Sequence, residues 1–312
     1  MARWFDDHAA IGELSDRQAD RVDWFRIVPF MALHAACFGP IWVGWSRTSV
    51  AVAVGLYVIR ILSITGAYHR YFSHRTYKTS RFWQFVFAWV GTSSAQRGPL
   101  WWAAHHRHHH RYADQPEDVH SPLQRGFLWS HLLWFTTPRN FPTRMEYVKD
   151  WARYPELRFL NRFSILPPLV LLGLLIGTGE MLRAYVPAAG TSGLQLGVWG
   201  FAISTVALFH ATATINSFDH LIGTRRYDTP DGSRNNWVLA ILTFGEGWHN
   251  NHHRYPATVR QGFYWWEIDV TYYLLVALSW VGIVRDLRPV PQKVFDEGRR
   301  PRPDQASDSP AP

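Results

Sequence analysis

Four stretches of this chain run for close to the length of a bilayer with almost no charge: about 27–45, 50–68, 163–182 and 194–215. Crossing the hydrocarbon layer as a helix takes about 20 apolar residues. Only helices and closed barrels satisfy every backbone group inside lipid, so these runs predict an all-α, integral membrane fold. Arg60 interrupts the second run, and Pro167-Pro168 opens the third. Weaker apolar patches near 82–89, 127–135, 237–244 and 264–284 mix Trp with polar residues and read as interfacial or capping helices. The 17 Trp point the same way, because indole rings settle at the headgroup level.

Charge sets the expected orientation. Arg139, Arg144, Lys149, Arg153, Arg158 and Arg162 lie between the second and third runs, and Arg285, Arg288, Lys293 and Arg299 follow the last. The positive-inside rule places both groups, and with them both termini, in the cytoplasm. The net charge of +8 raises nucleic acid as a partner, but no basic helix or nucleic-acid module is found, and an anionic membrane or acyl carrier fits better. The first residues lack a charged region followed by an apolar core, so no cleavable leader is expected. The expected organisation is a cytoplasmic segment over 1–26, a membrane domain over 27–287 with a cytoplasmic helical cap, and a disordered tail over 288–312. Cys37 is alone, so no internal disulfide forms.

Most histidines fall in four clusters at or beyond the ends of the apolar runs. They are His69-Arg-Tyr-Phe-Ser-His74, then His105-His106-Arg107-His108-His109-His110, then Asn216 with His220, and His249-Asn-Asn-His252-His253. Residues three and four apart share a helix face, so His249, His252 and His253 are expected to point one way, as are His106, His109 and His110. The pattern H-x-x-H-H fits His105, His108 and His109 equally well, and spacing does not choose. Imidazole suits Fe, Cu, Zn and Ni, and the pooled ligands exceed what one metal uses. A lone histidine such as His8, His34, His131 or His210 is more often structural, and these four are left out. A transporter would carry its ligands near the bilayer midplane, whereas these clusters sit at span ends.

On these motifs, with Trp102-Ala-Ala-His ahead of the second cluster, Asp118 and His120 behind it, and Gly245-Glu-Gly-Trp before the last, the sequence resembles the membrane fatty acid desaturases. The nearest likeness is the stearoyl-CoA (delta-9) branch, of bacterial type, from about the first span to Phe263. The resemblance implies an O2-dependent oxidoreductase that introduces a cis double bond, at delta-9, into a saturated acyl chain. It implies two iron ions held by His69, His74, His106, His109, His110, His220, His249, His252 and His253, with Asn216 reaching one metal through water. His105 and His108 would then be supporting or surface residues. It also implies a bent acyl tunnel with Gln96, Trp102 and Thr212 at the bend. The substrate would be a fatty acyl-CoA, acyl carrier or acyl lipid, and the site of action a bacterial inner membrane with the metal site on its cytoplasmic side.

No cytochrome b5-like domain is seen at either end, so two electrons per turnover are expected from a separate ferredoxin, rubredoxin or cytochrome b5 with its reductase. One departure concerns the carrier: where the animal acyl-CoA enzymes have an Arg-Asp pair that helps to bind CoA, this chain has Ala104-His105. No side chain can deprotonate an unactivated methylene, so the oxidising power must come from a cofactor. Carboxylates that would orient the imidazoles are Asp114, Asp118, Asp219, Glu246 and Asp269. The neighbouring alternative is a lipid hydroxylase or ketolase built on similar histidine boxes.

Overall fold

The computed structural model describes residues 2–7 and 19–299. His8 and the tail beyond Arg299 lie outside them. Three helical segments are long and apolar enough to cross a membrane: Arg47–Ser73, Leu166–Tyr185 and Pro187–His220. The first expected span is shorter. It forms helix α1, Val28–Ala36, and a further turn at Pro40–Val43. Pro40 has no N–H to donate and its ring crowds the preceding turn, so the helix breaks there. Among the described residues, then, three segments rather than the four expected reach that length.

Helix α2, Arg47–Ser63, starts at a reciprocal cap in which Ser46 and Ser49 each accept the other's backbone N–H. It continues as a wider π-helical segment, Ile64–Ser73, whose ten residues are all buried. Arg60, the charge inside this run, is also buried; it donates to Ser204 Oγ and Thr205 Oγ1 at 2.6 Å and to the Ser93 carbonyl at 3.3 Å. Such satisfaction inside the bundle is what lets a cation sit at membrane depth.

Helices α3, Arg81–Thr92, and α4, Pro99–Tyr112, follow, then α5, Pro155–Arg162, and α6, Leu166–Tyr185. Pro167 and Pro168 fall in the first turn of α6, where a missing N–H costs nothing. The last long segment passes through a π stretch, Gly197–Ile203, into α7, Ser204–Ser217. Where it starts against α6, Gly179 and Gly193 bring two backbones together: a Cβ on Gly193 would stand 2.5 Å from the Ile176 carbonyl oxygen. Small residues permit that approach in membrane bundles.

Short helices α8, His249–Arg254, α9, Val270–Trp280, and α10, Gln292–Gly298, complete the fold. Among the described residues the one sheet is a two-residue antiparallel pair, Lys78–Thr79 with Val284–Arg285, added to the expected all-helical architecture. Residues 288–299, expected to be disordered, are folded. Arg288 exchanges backbone hydrogen bonds with Thr76 and Val259, and Val294 is buried against Tyr227 and Phe263. The stretch is rich in Pro and charge but keeps apolar anchors that composition alone hides.

The main core lies where the π segment meets α4 and α5. Tyr68, Phe72, Leu100, Ala103, Leu157 and Leu160 are all buried there. This packing fixes the two helices that carry the first two histidine boxes.

A candidate metal centre and its adjoining cavity

His69 and His74 stand five residues apart, which in an α-helix would turn them about 140° from each other. The π segment corrects this. Its i to i+5 ladder, with the His74 amide donating to the His69 carbonyl at 3.2 Å, brings the pair edge to face with ring centres 4.9 Å apart. On α4, His106 and His110 are one turn apart, and His109 points to their side. Helix α8 repeats this arrangement with His249, His253 and His252.

The nine histidines gather in two sets. His69, His74, His106, His110 and His252 place one ligand nitrogen each within 4.8 Å of all the others, and His109, His220, His249 and His253 do the same. The two H-x-x-H-H boxes thus split rather than point one way. Each gives its i, i+4 pair to one set and its middle histidine to the other. Within the second box, His106, His109 and His110 lie in these sets, and His105 and His108 do not. His105 turns its Nδ1 to the Trp101 carbonyl at 3.0 Å, His108 packs on Tyr112 and Tyr147, and both are buried rather than at the surface.

The distances fit metal coordination. In the first set Nε2 faces Nε2 at 2.8–3.0 Å: His74 to His106, His106 to His110, His110 to His252, and His252 to His69. In the second, His220 and His249 are 3.1 Å apart and His109 and His253 3.4 Å. With metal–nitrogen bonds of about 2.1 Å, ligands at right angles stand about 3.0 Å apart and tetrahedral ones about 3.4 Å. Five nitrogens at right-angle spacing suit an ion of high coordination number, not a structural zinc. The second set has four histidines where the first has five.

Four of the nine histidines have their opposite ring nitrogen on a carboxylate. His109 Nδ1 meets Asp118 at 2.8 Å, His220 Nδ1 meets Asp114 at 2.7 Å, His253 Nδ1 meets Asp231 at 2.9 Å, and His69 Nδ1 contacts Glu246. Such partners fix the tautomer so that Nε2 offers its lone pair. Three of the five carboxylates expected from sequence act this way. Asp269 works at one remove: it and Glu246 both accept from the buried Arg70 guanidinium, at 2.9 and 3.0 Å. Asp219 is buried, and its carboxylate makes no hydrogen bond to any described residue.

Sequence reasoning missed Asp231, Arg70 and Gln261, whose amide donates to Glu246 Oε2 at 3.1 Å beside His69. Arg70 sits inside the first box, and its place between two histidines was the available signal. Asp231 lies in an irregular loop with no spacing to betray it.

Burial, reinforced by neighbouring imidazoles, holds His74, His106, His110, His249 and His252 far below the usual imidazolium range. His253 is lowered by burial to about 4. Burial also lowers His109, but Asp118 outweighs it and the net direction is upward. Burial opposes ionisation of Asp114, yet its hydrogen bonds to His220 and Ser121 bring it to about 2. Neutral imidazoles backed by ionised carboxylates are the state a metal requires.

A cavity of about 700 Å³ opens beside the first set, within the range of small-molecule sites. Its walls are apolar, with Phe30, Leu33, Leu172 and Phe209 among them, and His106 and Asn216 border it. Gln96, Trp102 and Thr212 all line it. Gln96 Nε2 donates to Thr212 Oγ1 at 3.0 Å, and the Trp102 ring stacks on His106 with centres 5.0 Å apart. The three residues expected at a bend thus line one cavity, which His106 also borders.

Comparison with known proteins agrees with this geometry. The family model of fatty acid desaturases matches residues 40–281. The chain is 34% identical over 278 residues to a palmitoyl-monogalactosyldiacylglycerol delta-7 desaturase of Arabidopsis thaliana, covering 88% of this chain and 71% of that one. It is 35% identical over 277 residues to an acyl-CoA 5-desaturase of Anemone leveillei, covering 87% and 81%. It is 33% identical over 282 residues to an sn-2 palmitoyl-lipid 9-desaturase of Nostoc sp., covering 88% and 93%. The chain belongs to the fatty acid desaturase family and is a membrane oxidoreductase of lipid metabolism.

Proposed function

We propose that this enzyme introduces a cis double bond at the delta-9 position of a saturated fatty acyl chain, with O2 as co-substrate and two electrons from a separate carrier protein. The observation that carries the reading is the partition of nine histidines into sets of five and four beside an apolar cavity whose wall carries the Gln96–Thr212 hydrogen bond. The two sets would each hold one iron, with Asn216 completing the four-histidine set through water. When bound, the iron ions supply with O2 the oxidising power that no side chain has. The residues do the rest. Asp114, Asp118, Asp231 and Glu246 orient the ligands, and the cavity wall excludes water. The Gln96–Thr212 hydrogen bond and the Trp102 ring bend the acyl chain and so register which carbons face His106 and Asn216.

The carrier of the chain is read as a membrane lipid. Ala104 and His105 are both buried, so neither offers a surface charge to CoA phosphates, and relatives act on lipid-borne as well as CoA-borne chains. The location proposed is a bacterial inner membrane with the metal sets on the cytoplasmic side. The electron donor would be a ferredoxin, a rubredoxin or cytochrome b5 with its reductase.

The test is the fatty-acid profile of a host expressing the protein, with double bonds mapped by mass spectrometry and His109→Ala as control. A new delta-9 monoene, absent from the control, supports the reading. An unchanged profile from iron-loaded protein with an electron donor would transfer it to a lipid hydroxylase or ketolase. Pulse-labelled chains that become unsaturated only after esterification would identify the lipid as carrier.

A further inference from the structure

On the desaturase reading, electrons must reach the histidine sets from outside the protein, and one surface is joined to the first set by a short chain of bonds. Trp151 is buried, and its Nε1 donates to the Phe72 carbonyl at 2.7 Å. Phe72 lies two residues before His74, a member of the first set. One hydrogen bond and a few backbone bonds thus link the indole to a ligand. The link is held firmly. Arg107 donates to the same Phe72 carbonyl at 2.6 Å and to the Ser73 carbonyl at 2.8 Å, and the Tyr71 ring packs on Trp151 with centres 5.0 Å apart. Electronic coupling decays less through covalent and hydrogen bonds than across gaps, so this is a favourable way in.

Positive charge covers the outer end of this route. The Arg75 guanidinium lies 5.2 Å from the centre of the Trp151 ring, and its side chain is half exposed. Lys149 and Arg153, one turn apart around the short helix Lys149–Ala152, are exposed beside Trp151 in sequence. Arg111 and Arg144 extend the charge around Tyr147. Asp150 offsets Arg75 and Arg107, but Lys149, Arg153, Arg111 and Arg144 form no ion pair among the described residues. Beside the second set the pattern differs: Arg254 is paired with Glu297, and Arg226 with Glu267. Unpaired cations suit either an acidic protein or an anionic membrane surface. A membrane surface makes no use of the bonds from Trp151 to His74, and these favour a redox partner.

We propose that a small one-electron carrier protein with an acidic face docks on Arg75, Lys149 and Arg153, and that its electrons enter the first set through Trp151 and the Phe72–His74 backbone. The need for electrons rests on the desaturase reading; the docking surface can be tested without it. Each docking oxidises one carrier by one electron. Two dockings serve one turnover: R–CH2–CH2–R′ + O2 + 2 e⁻ + 2 H⁺ → R–CH=CH–R′ + 2 H2O. Two C–H bonds break and one C=C forms. Dioxygen takes two electrons from the acyl chain and two from the carrier, and the two protons come from water. Complementary charge speeds such encounters and makes them fall off with salt.

The experiment follows re-oxidation of a reduced carrier by iron-loaded protein in phosphatidylcholine nanodiscs, without O2. Reduced ferredoxin, rubredoxin and cytochrome b5 are each tried, with photoreduced deazaflavin as a small uncharged reductant. Wild type should take electrons from at least one carrier, at a rate that falls steeply with salt. Lys149→Glu combined with Arg153→Glu should slow that second-order step about ten-fold or more and flatten its salt dependence, while the deazaflavin rate, iron content and melting temperature stay unchanged. Lys149→Arg with Arg153→Lys should match wild type. Trp151→Phe, which loses the hydrogen bond, should lower the limiting rate at saturating carrier and leave its affinity alone. A charge-reversed pair within roughly two-fold of wild type overturns the docking site, as does a wild type that deazaflavin reduces and no carrier does. An effect of charge reversal seen only when anionic lipid replaces phosphatidylcholine gives the patch to the membrane and overturns it too. An unchanged limiting rate in Trp151→Phe overturns the route, and if that variant unfolds the charge-reversed pair decides alone. Wild type that accepts electrons from a carrier, yet makes no olefin when O2 and acyl lipid are supplied, sinks the desaturase reading and leaves the docking site standing.

Discussion

At the scale of single residues, the centre depends on side chains that would never touch a metal. Asp231 is the acceptor for His253 Nδ1 and is itself held by the Ser233 amide at 2.9 Å. Losing an outer partner of this kind weakens metal binding by about 10–100-fold. Asp231→Asn is therefore expected to drop metal content from two ions per chain toward one, since His253 belongs to the four-histidine set. Elemental analysis of the purified variant reads this directly, and a full complement would show that His253 needs no acceptor. Arg70 makes a different prediction. It is buried between Glu246 and Asp269, both also buried, and Arg70→Met leaves two carboxylates without their cation. Breaking a buried pair on one side costs about 3–5 kcal/mol. The variant should melt well below wild type in the same detergent, with Arg70→Lys between the two.

At the scale of elements, what the sequence allowed and what it hid can be separated. Histidine spacing on α4 and α8 was legible, because i, i+4 neighbours share a helix face wherever the helix goes. The split of each box between two sets was not, because it depends on how α4 and α8 face each other, which is tertiary packing. The pairing of His69 with His74 also escaped a reading based on α-helical turns. A five-residue separation works only through the π ladder, and nothing local announces a π segment. The apolar runs located the long helices, but the first is broken at Pro40, a residue inside that run whose missing N–H ends a helix wherever no neighbour compensates. Gly245 shows how an element serves the site. Its φ is +123°, and a Cβ there would stand 2.4 Å from Asp269 Oδ1. Gly245→Ala should thus strain the turn into α8 and push Asp269 off Arg70, lowering both melting temperature and metal retention. An unchanged melt would mean that the turn relaxes without disturbing the ion pairs.

At the scale of the whole molecule, one cavity runs from the histidine sets between the long helices, and on the proposed reading its shape would determine which acyl chains fit. Thr212, at the proposed bend, and Ala202, buried in the wall, lie ten residues apart on the same continuous helical segment, about 15 Å along its axis. On the proposed reading, the cavity between them, lined by Phe201 and Phe209 among others, takes the part of the acyl chain beyond the bend. Ala202→Phe places a ring in that space without touching His106, Asn216 or the Gln96–Thr212 hydrogen bond. The bend then still registers the same carbons, so double-bond position should not change, while chains that reach Ala202 lose their last buried methylenes. Each methylene excluded forfeits about 0.8 kcal/mol, so two of them shift the preference toward shorter chains by roughly fifteen-fold. Competition between a long and a short saturated chain, scored by gas chromatography of the products, measures that ratio. A loss of activity on both chains alike would mean that the ring disturbs α7 itself. A change in double-bond position would mean that registration comes from the closed end and not from the bend.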